Sequence, residues 1–140
     1  MNRKLLFVAS VLVATVVGVA WLAFNKNQKA LAEAERLSVA SLAGRFYGEV
    51  ALAKSTPRHS LSNRIADLQK TRQELLSLPL TSACIQEARD ALSTAMFSYT
   101  YDFTKFLAQE PRSGDLSTAD AEFSKSRSQI AECKSTESKN

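Results

Sequence analysis

The sequence predicts an all-α protein, a single N-terminal transmembrane helix followed by an antiparallel, four-helix bundle-like domain. Three observations carry this. Twenty consecutive residues, Leu5 to Phe24 (LLFVASVLVATVVGVAWLAF), contain no charge. Glycine and proline, which punctuate turns, number only four and three in 140 residues. Between the prolines, apolar side chains recur every three or four residues, the period of a helix face.

The apolar segment comes first. At 1.5 Å per residue, twenty residues cover roughly the 30 Å hydrocarbon core of a bilayer. A helix satisfies its own backbone groups there, which lipid cannot do. Met1 to Lys4 form a short basic head. A cleaved signal peptide would have an apolar run of about 7–15 residues ending in a small-x-small site. Here the run is longer, and the best such site, Gly18-Val19-Ala20, is followed by Trp21-Leu22-Ala23-Phe24, which is still apolar. Trp21 and Phe24 suit the membrane interface, with Lys26 and Lys29 among the headgroups. The expected reading is a retained signal-anchor.

Basic residues nearly balance across the span, so they do not decide its orientation. A four-residue flank is easily left in the cytoplasm, and two cysteines suit an oxidising compartment. The N-terminus is therefore expected inside and the domain, residues 25–133, in the periplasm or an equivalent space outside the inner (plasma) membrane. Ser10, Ala14 and Gly18 recur every fourth residue, a small-xxx-small stripe on which a second copy or a partner helix could pack.

The first soluble helix is expected over about 27–54, with Val39, Leu42, Ala43, Phe46, Val50 and Ala53 at steps of three and four. It can continue straight out of the membrane. Ala40, Gly44 and Gly48 lie behind that stripe, and a helix-interior glycine costs about 1 kcal/mol relative to alanine. Two readings stay open there, close approach by another helix or a tolerated weak spot. Thr56 and Pro57 then read as an N-cap and first helical residue, opening a helix over about 57–78 with Leu61, Ile65, Leu68 and Leu75 inward. Arg72 falls on that stripe and would snorkel. Pro79 ends it.

Thr81 or Ser82 restarts the chain for a helix over about 82–109, with Ile85, Ala88, Leu92, Ala95 or Met96, Tyr99, Phe103 and Phe106 inward. Phe97 to Phe103 also alternates apolar and polar residues, a strand pattern. The unbroken three/four spacing from Ile85 favours helix, and it leaves Phe97 and Tyr101 on a second stripe off the core. Pro111 to Asp115 is a turn by composition. Ser117 with Asp120 resembles a weakened capping box for a last helix over about 117–133. Its core face, Leu116, Ala119, Phe123, Ile130 and Cys133, is interrupted by Ser126 and Arg127. Residues 134–140 form a polar tail expected to fray.

In an exported domain Cys84 and Cys133 are expected to form one disulfide. The longer third helix and shorter fourth differ by roughly 14 Å at 1.5 Å per residue, which the connecting loop can climb.

Composition excludes several classes. Arg3 and Lys4 supply half of the formal charge of +4, so the exported part is nearly neutral and no nucleic-acid partner is expected. The single histidine, His59, has no evident catalytic partner. Two cysteines and one histidine do not make a recognisable zinc set, and no glycine-rich phosphate loop occurs. No catalytic residue, metal or cofactor is therefore assigned.

Two features remain for binding. Phe97 and Tyr101 are candidate exposed anchors. Lys54 and Arg58 in one turn and Arg112 in another should meet at the membrane-distal tip, with Arg64 and Lys105 near them. The expected function is a membrane-anchored, non-enzymatic accessory or adaptor subunit that binds another envelope protein or itself. The alternative is a ligand-binding or sensor bundle with a cavity lined by Leu92, Met96, Phe103 and Phe123.

Overall fold

The computed structural model describes residues 3–110 and 116–136, with the side chains of 24–110 and 116–133. Four α-helices account for nearly all of this chain: α1 (Arg3–Ser55), α2 (Leu61–Leu76), α3 (Ala83–Leu107) and α4 (Ser117–Thr136), with a single 3-10 turn at Arg58–Ser60. No strand occurs among the described residues. The aromatic stretch around Phe97–Phe103 is therefore helical.

α1 is one helix of 53 residues, about 80 Å long at 1.5 Å per residue. The helix expected over 27–54 is thus the second half of an element that begins in the apolar segment. The side chains of Ser10, Ala14 and Gly18, like all those of the expected span before Phe24, lie outside the described side chains. Among the described residues no helix is long and apolar enough to cross a membrane. From Phe24 to Leu31 the α1 side chains face solvent apart from the half-buried Asn25. The bundle begins at Ala32 and is held by Val39, Ala43, Phe46, Val50 and Ala53.

The first turn differs from the one expected. Thr56 does not cap α2, because its hydroxyl donates back to the Leu52 carbonyl (2.7 Å), as does that of Ser55 (2.9 Å). These bonds close the end of α1 instead, a competition open to short hydroxyl side chains. Pro57 has ψ 145°, an extended conformation, so it sits outside α2. The chain turns through Arg58–Ser60 before α2 starts at Leu61. At the next boundary Ser82 is the N-cap of α3, its hydroxyl accepting from the Ile85 amide at 3.5 Å. Thr81 is used elsewhere.

The helices run up, down, up and down. Antiparallel pairing of α1 with α2 is fixed by Arg45 near Glu74 and Thr71 near Glu49. Arg72 meets the Ser93 carbonyl across α2 and α3 (3.0 Å). Across α3 and α4, Ser98 meets Glu122 (2.7 Å) and Cys84 is bonded to Cys133. α4 closes the bundle against α1 through Lys54 and Asp120 (3.4 Å). Asp120, in the first turn of α4, also sits beside Tyr99, eight residues before α3 ends, so α4 starts short of the end of α3.

The core is one cluster. At its centre the rings of Phe46, Tyr99 and Phe123 lie 5.9–6.0 Å apart by centroid, a geometry worth about 0.5–1.5 kcal/mol per pair beyond burial. α4 contributes least. Ser126 stands buried on its inner face and bonds to its own Glu122 carbonyl (2.8 Å). Arg127 faces solvent, outside the inward stripe expected of it. Phe106, expected inward, is 40 % exposed, because α3 overshoots the end of the core and Phe106 lies in its last turn. α4 continues past residue 133 to Thr136.

Candidate partner-binding surface

Phe97 and Tyr101 are one helical turn apart on α3, off the stripe that faces the core. They are 52 % and 49 % exposed. Their rings stack on each other at 6.0 Å with planes 20° apart. A cation holds each end of the pair. The Arg72 guanidinium lies 5.4 Å from the Phe97 centroid, with its Nε tied to Ser93. Lys105 Nζ lies 4.5 Å from the Tyr101 centroid. Each exposed cation–π contact contributes about 0.5–1 kcal/mol. The result is a short ladder of cation, ring, ring and cation, rigid on the helix and open to solvent. It can bury a partner's apolar side chains while the Arg72 end attracts a carboxylate.

The α1–α2 turn meets the end of α3, and the basic residues described there have partners. Arg58 donates twice to the Leu107 carbonyl (2.7 and 3.2 Å) and lies 5.8 Å over Phe106, pinning the α1–α2 turn to the end of α3. Lys54 pairs with Asp120, Arg64 with Asp67 and Lys105 with Glu110. Arg112 lies outside the described residues. Lys54, Arg64 and Lys105 are thus ion-paired, while Arg58 keeps its charge against a carbonyl and a ring.

Two polar sites inside the bundle were not singled out from sequence. Glu35, 6 % exposed, accepts from the Thr81 amide (2.8 Å), the Thr81 hydroxyl (2.6 Å) and the Ser82 amide (3.0 Å). Burial pushes its pKa up, but the Thr81 hydroxyl and the Ser82 and Thr81 amides outweigh that and hold it below the usual carboxylate value. The readable signal was a lone carboxylate on the inward stripe, between Ala32 and Val39. The second site is Tyr99, fully buried, whose hydroxyl donates to Asp120. Burial first, then Asp120, raises its pKa far above the ordinary tyrosine value. Thr71 completes the polar interior by donating to Glu49 and accepting from Arg45 (3.1 Å).

Cys84 and Cys133 form the expected disulfide, with Cα atoms 5.8 Å apart. Beside it lies an open cleft of about 210 Å³ lined by both cysteines, Glu87, Ala88, Gln129 and Glu132. That is smaller than the ~300 Å³ where ordinary small-molecule pockets begin. The side chains expected to line a ligand cavity, Leu92, Met96, Phe103 and Phe123, are buried together in the core cluster. Among the described residues, no three His, Cys, Asp or Glu side chains converge to hold a metal.

The chain matches no protein-family model, no curated protein and no solved structure.

Proposed function

We propose that this chain is a membrane-anchored, non-enzymatic adaptor of the cell envelope, tethered by Leu5–Phe24 with its helical domain outside the cytoplasm. The domain presents the Phe97–Tyr101 face to an envelope protein whose contact surface is apolar and acidic. The observation that carries this reading is the stacked aromatic pair held in place by Arg72 and Lys105 yet half exposed. Rigid, amphipathic rings of this kind are favoured interface anchors. The disulfide supports placement in an oxidising compartment, and the twenty uncharged residues support the anchor.

The double substitution Phe97→Ala with Tyr101→Ala tests it. Both side chains lie off the core, so the domain should stay folded, with a melting temperature lowered by about 5–15 °C through the lost cation–π contacts. Crosslinking in intact membranes should lose a partner that the parent chain captures. Unchanged capture by the double variant removes this face from the proposal.

A further inference from the structure

Resting on the anchored reading above, we propose that two copies of the chain pair in parallel through the outer face of α1. That face turns away from the bundle except at its edges, where the Tyr47 ring stacks on Phe123 of α4 at 5.6 Å and Arg45 pairs with Glu74 of α2. Ala34, Leu37, Ser41, Gly44, Gly48 and Ala51 follow one another at alternating steps of three and four, and all six are exposed. This is the seam spacing of paired helices. The solvent side of a surface helix ordinarily carries charge, yet none of these positions does.

The face also carries large apolar side chains. Leu37 on the seam is 54 % exposed, while Leu31, Tyr47 and Leu52 at its edges are 44 %, 47 % and 52 % exposed. Gly44 and Gly48 form the notch between them. A Cβ added at either would meet nothing within 4 Å, so no neighbour within the chain requires glycine there. Each still costs α1 about 1 kcal/mol relative to alanine. A second helix seated in the notch gives that flatness a use.

Charge selects the occupant. In a parallel two-fold pair each seam residue lies opposite its own copy, where any charge would repel itself. A wholly neutral seam satisfies this condition. The edges agree with it. In this register Tyr47 of one helix faces Leu52 of the other, and the charged edge residues Glu33 and Arg45 face Ser38 and Ala40. Anchored copies all point the same way, which makes the parallel arrangement the available one. From Ala34 to Ala51 the seam is about 26 Å long, and its footprint of a few hundred Å² is below the ~800 Å² per partner of a stand-alone complex. Confinement of both copies to one membrane supplies the missing effective concentration.

The test uses the full chain in membranes. A cysteine is placed on the seam (Ser41→Cys) or away from it (Ser124→Cys), and membranes are treated with copper phenanthroline. Expected is a disulfide-linked dimer with Ser41→Cys at least fivefold above Ser124→Cys and the parent. Gly48→Leu, placed in open space, should leave the melting temperature equal or higher while reducing that crosslink severalfold. Equal crosslinking at both cysteines, or an undiminished crosslink with Gly48→Leu, overturns the pairing. Carbonate extraction of the same membranes separates the two readings. Retention without a crosslink overturns pairing and leaves the anchor standing, whereas release with the seam crosslink intact does the reverse. Release with no crosslink overturns both.

Discussion

Gln109 is the described non-glycine residue with a positive φ, 64°. It ends α3, where Glu110 donates to the Lys105 carbonyl (3.1 Å) and Gln109 to that of Phe106 (3.3 Å). This is the wrapped C-terminal motif in which the left-handed position favours glycine. A side chain in that conformation costs about 1–2 kcal/mol, partly offset by the greater freedom glycine has when unfolded. Glycine would also remove the amide oxygen that accepts from the Arg58 guanidinium at 2.9 and 3.1 Å, so Gln109→Gly should change the unfolding free energy by no more than about 1 kcal/mol, read as a small shift of the urea midpoint at unchanged slope. The residue is invisible to periodicity, since a glutamine in an otherwise polar run gives no sign of its backbone angle.

At the scale of the element, α1 is joined to the far side of the bundle by Glu35, which takes three hydrogen bonds from the α2–α3 loop. Glu35→Gln keeps the shape and loses the charge, so it should cost about 1–3 kcal/mol, the range for hydrogen bonds to a charged group and an unsatisfied buried partner. The sign of the pH effect follows from the depressed carboxyl. Its contribution is complete above the ordinary glutamate range and disappears as pH falls through the lower folded value. Denaturant titrations across the acid range should show a steeper loss of stability for the parent than for Glu35→Gln.

The same scale shows how far the chain could be read in advance. All four helices and the outward stripe of Phe97 and Tyr101 were legible, because burial against a neighbour imposes a 3.6-residue period. Boundaries were less so. Thr56 and Ser82 have similar hydroxyls before a helix, and only the path of the chain decides that Thr56 bonds backward while Ser82 bonds forward. The cations that frame the aromatic pair could not be read either. Arg72 comes from another helix, and its approach to Phe97 depends on the packing of α2 against α3.

The whole domain has a thin fourth wall, since α4 offers Ser126 where the other helices offer larger apolar side chains. The Cys84–Cys133 bond compensates by tying its far end to the start of α3 across 49 residues of sequence. In the chain-entropy account a loop of that length contributes about 4 kcal/mol. Reduction, or Cys84→Ser with Cys133→Ser, should lower the unfolding free energy by up to about that amount and release α4 first. Hydrogen exchange of the α4 amides against those of α3 would register the difference.

α1 carries no proline or hinge between its beginning and Ser55. Such a shaft turns as a unit, so whatever direction its foot faces fixes the compass bearing of the entire head. One extra alanine among residues 25–31 would swing the Phe97–Tyr101 face by about 100°, while seven would bring it back to within about 20°. The bearing, rather than the height, is what this architecture controls.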